Sequence, residues 1–378
     1  MNRKNYKEHW LWNQSYPLLI TVLLCMSNIF LPNNLVAGSS ISSQDDKPIK
    51  IGLLVTVDTA QNQLARQAAD AVQLLVDKVN DSGGIRSRKV KVVVKSIEGH
   101  WGAGSKRSVN LIYEDGVSAI LGFLDGRSAH LVEQVCTKAR VPFISVYSPD
   151  PTLSRSNIPW FFSTMPHAGQ QAAVMANEIY AVQNSKKVII IASDAYDQRY
   201  MLRAFLREVE RNNYPSPTVL TNRSGKLDFE EILSQVAGSD TGCIVFFGSS
   251  EEWNTWFKLY KDSSIQLPHY LPVMELDNKM ISDILHPVFT IRSEQWDTSH
   301  EENFSKQFRY RYGYQPGRYT YYVYDGIIAL LESIRIKGDK STEIQQGLGI
   351  VDVNGVTGPI SFDDTGIIKN KFKVVKFN

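Results

Sequence analysis

Ile49-Lys-Ile-Gly-Leu-Leu-Val55 is a short, mostly apolar run of strand length. It is followed by apolar residues at helical spacing, namely Leu64, Ala68, Ala71, Val72, Leu75 and Val79. A strand-length apolar run followed by such a stripe predicts a βα unit. Gly83 and Gly84 then end the helix, because glycine readily adopts the left-handed conformation found at helix C-termini.

The same alternation continues along the chain and defines two series of elements. The first series has predicted strands over 90–94, 119–122 and 142–145, with helices over 105–114 and from 128. The second begins after 161–166, with predicted helices over 168–181, 200–211, 228–236, 251–260 and 278–285 and strands over 187–192, 218–220, 243–247 and 270–273. Repeated βα units predict an α/β protein with doubly wound parallel sheets and two cores.

The C-terminal part is less regular. Helices are predicted over about 302–312 and 319–337, but periodicity does not assign them to either core. The segment 357–378 contains a turn at 363–366 and an alternating apolar pattern, which predicts a terminal hairpin.

The N-terminus has the layout of a signal peptide. Arg3, Lys4 and Lys7 precede an apolar run over 16–31, and the small residues at 36–38 follow it. Polar residues interrupt this run, so it is shorter than the ~20 apolar residues that span a bilayer. We predict a signal peptide over 1–38 that is cleaved rather than kept as an anchor, and hence an exported protein in the periplasm or another extracytoplasmic compartment.

The charge and cysteine content exclude several classes of function. The 378-residue chain has a formal charge of +2, and removal of 1–38 leaves it neutral, so the sequence does not predict a nucleic-acid partner. Cys25 lacks the small residues expected before a lipidated cysteine. Cys136 and Cys243 are far apart in the chain and are expected to be two buried free thiols.

Six stretches of the chain resemble a known family when they are taken in order. They are Ile49-Lys-Ile-Gly52, Val79-Asn-Asp-Ser-Gly-Gly-Ile85, Asp115-Gly-Val-Ser-Ala-Ile-Leu-Gly122, Val141-Pro-Phe-Ile-Ser145, Tyr324-Asp-Gly326 and Val356-Thr-Gly-Pro-Ile-Ser-Phe-Asp363. The chain resembles the periplasmic substrate-binding proteins of ABC importers, in the branch that includes the leucine/isoleucine/valine-binding proteins. The resemblance covers about 49–377.

The resemblance implies an architecture of two α/β lobes with a ligand cleft between them. Lobe 1 would comprise 49–163 plus 292–350, and lobe 2 would comprise 166–289 plus 356–378. Three hinge crossings would fall near 163–166, 289–292 and 351–356. The helices over 302–337 would thus return to lobe 1, and the final hairpin would belong to lobe 2.

Two loops of the first lobe carry candidate ligand contacts, because ligands in open α/β sheets lie beyond the carboxyl ends of strands. Ser128 is predicted as a helix N-cap and, by resemblance, as a donor to a ligand carboxylate. Arg127 could hold a second acid group, or be an ordinary solvated arginine. Tyr147 and Ser148 lie in the next loop, where Pro149 replaces the threonine of relatives and so removes a hydroxyl and a backbone N–H. A plain aliphatic amino acid is therefore less expected as the ligand.

The second lobe supplies the other candidates. Tyr196 matches a tyrosine that faces the cleft in relatives, whereas Asp197 departs from the glycine that follows it there. Ser250 lies after the strand predicted over 243–247. Glu275 lies near the position that pairs with a ligand ammonium in relatives, although Asp277 competes for that role.

The stretch 99–106 holds two further features. Trp101 could stack on a ligand or simply cover nearby apolar surface. Gly99, Gly102 and Gly104 with Lys106 follow a strand, but their spacing fits neither the dinucleotide fingerprint nor the phosphate-binding loop.

The sequence favours a binding protein over an enzyme. It contains no Gly-x-Ser-x-Gly, no Cys-x-x-Cys and no histidines at metal-ligand spacing, so we predict no catalytic residues, no cofactor and no metal. The predicted function is capture of a small polar solute, an amino acid or a related amide or carboxylate compound, for delivery to an ABC transporter permease. A monomer is expected. The alternative is a sensing module for a receptor or sensor kinase, and Pro149 also admits a module that has lost ligand binding.

Overall fold

The computed structural model describes residues 47–56, 62–98, 102–155, 158–221, 227–276 and 286–377. The predicted signal peptide, Trp101 and the helix predicted over 278–285 lie outside these residues. Gln44–Asn378 belong to one compact unit. Within the described part of the chain, no helix is long and apolar enough to cross a bilayer.

The first sheet has five parallel strands in the order β2-β1-β3-β4-β5. Its central strand β3 is buried along its whole length, as expected for a parallel sheet that is covered on both faces. The strands are β1 (Ile49–Thr56), β2 (Val90–Ile97), β3 (Ala119–Phe123), β4 (Phe143–Ser145) and β5 (Phe161–Ser163). The helices between them are α1 (Asn62–Asp81), α2 (Ala103–Val109) and α3 (Gly126–Ala139). The first predicted βα series is confirmed.

The second sheet has six strands in the order β13-β10-β9-β8-β6-β7, and it is parallel except for the pair β10 and β13. Its strands are β6 (Val188–Ala192), β7 (Thr218–Thr221), β8 (Cys243–Phe247), β9 (His269–Tyr270), β10 (Val288–Ser293) and β13 (Phe372–Lys376). The accompanying helices are α4 (Ala168–Ala176), α5 (Tyr196–Arg211), α6 (Phe229–Ala237) and α7 (Ser250–Lys261). Wider π-helical turns extend α2 through Asn110–Glu114 and α4 through Asn177–Val182. The chain thus has two α/β lobes, each built on one of these sheets.

Three helices follow β10: α8 (Thr298–Tyr312), α9 (Arg318–Ile336) and α10 (Ser341–Leu348). Helix α9 packs along α1 and α10 and also contacts β3, so it adjoins the first sheet. The resemblance implies that the chain returns to the first lobe after β10. This contact supports that proposal. The helix α10 was not predicted.

Two further details differ from the sequence-based expectation. The resemblance implies a crossing near 289–292. These residues belong to β10, which occupies 288–293, so the chain leaves the second sheet only after Ser293. The C-terminal strand β13 pairs with β10 rather than with the preceding residues of a hairpin. A short pair, β11 (Val353–Asn354) with β12 (Pro359–Ile360), and a bridge between Phe362 and Ile368 form the remaining local antiparallel contacts in this segment.

A buried aspartate holds the backbone where the resemblance predicts the last crossing between the lobes. Asp325 of α9 accepts hydrogen bonds from the backbone N–H groups of Val356 at 2.7 Å and Thr357 at 2.8 Å, and from the Thr357 hydroxyl at 2.6 Å. Gly355 lies so close that a Cβ there would clash with the Asp325 carboxyl group. Burial raises the pKa of Asp325 to about 6, against these hydrogen bonds.

The cores of the protein bury both cysteines and a neutral histidine. Cys136 and Cys243 are both buried and free, as predicted. In the second lobe Trp256 donates its indole N–H to His269 at 3.0 Å inside a cluster of aromatic side chains. Burial holds the pKa of His269 well below its usual value, so this histidine is neutral and acts as an acceptor.

Candidate ligand-binding cleft

A cavity lies between the loops that follow the carboxyl ends of strands in both sheets. The first lobe contributes Tyr147 and Pro149 after β4, and α9 contributes Tyr319 from its first turn. The second lobe contributes residues from α4 and α5 and from the loops after β8 and β9. The described lining residues are Tyr147, Pro149, Met165, Gln171, Asp197, Gln198, Met201, Phe247, Gly248, Pro272, Val273, Met274 and Tyr319. We call this cavity the cleft.

The cleft is narrow. Its volume is about 40 Å³. Tyr147 packs against Tyr319 with ring centroids 4.6 Å apart, and Phe123 packs behind Tyr147 at 4.5 Å. The rings of Tyr147 and Tyr319 form one wall of the cleft, so a ligand would meet a largely aromatic surface on the side of the first lobe.

The first candidate loop begins helix α3, but its cap differs from the expectation. Asp125 is the N-cap, and its carboxylate accepts the backbone N–H of Ser128 at 2.7 Å. The prediction that Ser128 is the N-cap was therefore wrong, because the helix starts two residues earlier, at Gly126. Ser128 is buried and is absent from the described lining of the cleft.

Asp197 of the second lobe reaches across to this loop. Its Oδ1 accepts the backbone N–H of Gly126 at 3.1 Å and the hydroxyl of Ser148 at 3.1 Å. A Cβ on Gly126 would lie 2.7 Å from Asp197 Oδ1 and 2.8 Å from the Tyr196 ring, so only glycine allows this approach. The two lobes therefore touch through a carboxylate set on the N-terminus of a helix, a place that favours negative charge.

The electrostatic surroundings of Asp197 are unfavourable for its charge. Burial, followed by the negative charge of Asp125 and a smaller contribution from Asp150, raises the pKa of Asp197 to about 7, against the bonds from Gly126 and Ser148. Asp197 therefore keeps its proton to a higher pH than an exposed aspartate does.

The second candidate loop is held by an ionic cluster. His130 contacts Asp150 at 3.1 Å and Glu133 at 3.3 Å, and Asp150 also accepts bonds from Thr152. These carboxylates raise the pKa of His130 to about 9. Burial of Asp150 is outweighed by its bonds to His130 and Thr152, which hold its pKa below the usual value. The cluster fixes the loop that presents Ser148, whose oxygen accepts the backbone N–H of Asp150 at 3.1 Å.

Tyr196 and Arg127 meet beside this contact rather than inside the cleft. The guanidinium of Arg127 lies 5.4 Å from the centroid of the Tyr196 ring, and Arg127 is otherwise exposed. Neither residue is among the described residues that line the cleft. They pack across the lobes, so a direct contact of either residue with ligand stays a prediction.

Glu275 makes a second contact between the lobes. Its Oε2 accepts the backbone N–H of Tyr319 at 3.4 Å, at the first turn of α9. Burial raises the pKa of Glu275 to about 7, against the backbone bonds from Tyr319 and Arg318. Glu275 lines a neighbouring pocket with Arg292, Glu301 and Arg318 rather than the cleft itself.

The other predicted residues fall as follows. Ser250 is the first residue of α7, after the capping residue Ser249, and is not among the described lining residues. Of the eight residues predicted to bind ligand, Tyr147 lines the cleft, and Ser148 is bonded to its wall through Asp197. Their roles in ligand binding stay predictions.

Sequence reasoning missed most of the second-lobe wall. Phe247 ends β8 and Gly248 follows it, and Pro272, Val273 and Met274 follow β9. The rule that sites lie beyond the carboxyl ends of strands could have found both segments. Gln171 was missed because it lies inside a helix, where it accepts the backbone N–H of Val273 at 2.8 Å and bonds to Pro166 at 2.7 Å.

The charge of the cleft is one-sided. Asp197 is the one acidic residue in the described lining, and that lining contains no arginine, lysine or histidine. Among the residues that the structure covers, no group of three or more His, Cys, Asp or Glu side chains is placed to hold a metal ion. The cleft thus offers aromatic rings, methionine sulfurs, amides and one carboxyl group.

Known proteins share this architecture. A Leu/Ile/Val-binding protein homologue of Brucella melitensis is 22% identical over 218 residues, which cover 58% of this chain and 59% of that protein. The branched-chain amino acid transporter substrate-binding protein LivJ of Streptococcus pneumoniae, solved with isoleucine, is 22% identical with a TM-score of 0.75, covering 88% of this chain and 100% of that one. A solute-binding protein of an ABC transporter from R. palustris, solved with benzoate, is 16% identical with a TM-score of 0.77, covering 88% and 94%.

The sequence also matches a protein-family profile. The profile described as periplasmic binding protein matches residues 48–378, which is nearly the whole of the chain that follows the predicted signal peptide. The two lobes, the parallel sheets and the cleft between them fit this match. The chain therefore belongs to the periplasmic binding protein family, with the type I fold of the Leu/Ile/Val-binding proteins.

Proposed function

We propose that this protein is an extracytoplasmic solute-binding protein that captures a small polar molecule in the cleft and delivers it to an ABC importer. The observation that supports this best is the cleft itself, since both lobes line it and both contribute residues from the carboxyl ends of their strands. A ligand held there would contact both lobes at once. It would stabilise their closed arrangement by the difference between its affinities for the closed and open forms.

The contacts between the lobes support a mechanism of closure. Asp197 with Gly126 and Glu275 with Tyr319 join the lobes on two sides of the cleft. Both contacts are single carboxyl groups on helix N-termini rather than large apolar interfaces, so they can separate without unfolding either core. The permease would recognise the surface that closure creates, and the protein would perform no chemical step.

The first experiment is a thermal-shift screen of the full chain against amino acids, amines, amides, carboxylates and short peptides. A ligand that binds only the native state raises the melting temperature. Tyr147→Ala removes one wall of the cleft and should reduce the shift given by a true ligand. Tyr113→Ala is the matched control, because Tyr113 is 70% exposed on α2's extension and remote from the described lining. Equal shifts in both variants would refute binding in the cleft.

The delivery step is tested in cells. Deletion of this protein should abolish uptake of the ligand identified in the screen, and a plasmid copy should restore it. Normal uptake with loss of a cellular response to the same ligand would refute the importer role and favour the sensing alternative.

A further inference from the structure

The charges and hydrogen-bond donors around the cleft restrict the class of ligand that it can bind. This inference rests on the proposed function and concerns the same site. One anion-binding feature near the cleft is the N-terminus of α3, where the Gly126 N–H and the Ser148 hydroxyl donate to the same atom. Backbone N–H groups at a helix N-terminus together with a hydroxyl form a good site for a carboxylate.

That anion site is already filled by the protein. The Gly126 N–H and the Ser148 hydroxyl both donate to Asp197. Pro149, the next residue, has no N–H to offer. A ligand carboxylate entering here would have to displace a buried side chain that is held at 3.1 Å by two donors.

The rest of the wall offers a ligand anion no counter-charge. The described lining holds no basic residue. His130 of α3 is already engaged by Asp150 and Glu133, and Arg127 lies exposed over Tyr196. A carboxylate ligand would instead meet the charge of Asp197, with Asp125 and Asp150 close behind it.

The same wall suits an organic cation. Tyr147 and Tyr319 present adjacent aromatic rings, which attract ammonium groups through their π-electrons. Three methionine side chains, Met165, Met201 and Met274, add polarisable apolar surface. Asp197 Oδ2 accepts the Gly126 N–H at 3.3 Å, and a carboxylate oxygen can accept further hydrogen bonds.

We propose that the cleft selects a small organic monocation, an amine or amidine with a short apolar body, over a carboxylate, and that Asp197 is the residue that determines this preference. Asp197 would act twice. It occupies the donors that would otherwise hold a ligand carboxylate, and it supplies the negative charge that pairs with the ligand. The small volume of the cleft, about 40 Å³, favours a small ligand.

The test uses ligands of matched shape and different charge. Affinities of the full chain are measured by isothermal titration calorimetry at pH 8 for benzylamine against benzoate, and for isoamylamine against 4-methylpentanoate, with leucine as a zwitterion. We expect each amine to bind at least about 10-fold more tightly than its carboxylate partner, which corresponds to about 1.4 kcal/mol.

Three variants locate the effect. Asp197→Asn should weaken amine binding at least about 10-fold, and Asp197→Ala, which frees the Gly126 and Ser148 donors, should admit benzoate. Asp194→Asn is the control, because it also removes one negative charge, but from an exposed side chain three residues before Asp197. This variant should leave both affinities unchanged. The wild-type comparison and Asp197→Asn decide the matter even if Asp197→Ala does not fold.

The outcomes separate this inference from the proposed function. Binding of a carboxylate or of leucine as tightly as the amines would overturn the cation preference and leave the solute-binding function standing. Undiminished amine binding by Asp197→Asn would overturn the role of Asp197. Failure of every compound, including the wider panel of the thermal-shift screen, would overturn both proposals.

Discussion

Replacement of Asp197 by asparagine removes a buried charge while keeping the size and an acceptor oxygen for Gly126 and Ser148. In the wild type the pKa of this carboxyl group is about 7 instead of 3.8. A pKa raised on folding stabilises the folded state below the unfolded value, and this stability is lost as pH rises through the folded value. The contribution of Asp197 to wild-type stability should therefore fall between pH 4 and pH 7 and level off above that.

The magnitude follows from the size of the pKa shift. A shift of about three units corresponds to about 4 kcal/mol at roughly 1.4 kcal/mol per unit. This is a ceiling, because opening of the lobes would let water reach the carboxylate and relieve part of the cost. The asparagine variant lacks this contribution. We thus expect its stability relative to the wild type to improve by about 2–4 kcal/mol from pH 4.5 to pH 7.5.

The assay is urea denaturation of both proteins at intervals across this pH range, followed by circular dichroism. Other groups with raised pKa values, such as Glu275, His130 and Asp325, titrate in both proteins and cancel in the difference. Asp194→Asn serves again as the exposed control and should parallel the wild type. Parallel curves for the wild type and Asp197→Asn would refute the reasoning, since they would mean that Asp197 titrates normally.

Three further outcomes are expected. Gly317→Ala would place a Cβ against the Glu275 carboxyl group, so it should separate the lobes and increase the radius of gyration measured by small-angle X-ray scattering. Asp325→Ala leaves three buried donors without their acceptor and should cost at least about 3 kcal/mol in urea denaturation. Burial raises the pKa of Cys243 to about 12 and that of Cys136 further, so both thiols should stay unmodified by maleimide in the native protein and react after denaturation, as read by peptide mapping.

Each of these outcomes has a control. Gly102→Ala adds the same methyl group where nothing lies within 4 Å, so an equal change in radius there would contradict the explanation for Gly317. Asp364→Ala changes an exposed aspartate, and a comparable loss of stability would contradict the role of Asp325. Rapid labelling of either thiol in the folded protein would show that its segment opens locally.

Much of the fold could be predicted because parallel strands buried on both faces are continuous apolar runs. β6 and β8, for example, consist almost wholly of apolar residues and stand out in the sequence. β10 has a mixed pattern, Val-Phe-Thr-Ile-Arg-Ser, and its partner β13 lies about 80 residues away. Local periodicity carries no information about such a pairing, so the alternating pattern of the terminal segment predicts a hairpin. The crossing that the resemblance implies near 289–292 falls inside this strand.

The positions of the loops at the cleft could be predicted from the sequence, but the contacts between the two lobes could not. Tyr147 and Ser148 follow a strand whose end was correctly located, so their position was foreseen. The bond between Asp197 and Gly126 joins residues 71 positions apart on different lobes, and it depends on how the lobes meet. Asp197 was therefore seen only as a departure from the family pattern. Tyr319 was missed because periodicity could not assign its helix to a lobe.

Helix α9 connects the cleft to the backbone at Val356 and Thr357. Tyr319, in its first turn, lines the cleft, and Asp325, six residues later, holds the backbone at Val356 and Thr357. Six residues of α-helix span about 9 Å. A rigid rod of that length converts a tilt of about 10° at the cleft into a displacement of roughly 1.5 Å at the far attachment. Under the proposed function, a shift of Tyr319 on ligand binding would therefore be transmitted along α9 to the backbone at Val356 and Thr357, close to the place where the resemblance puts the last crossing between the lobes.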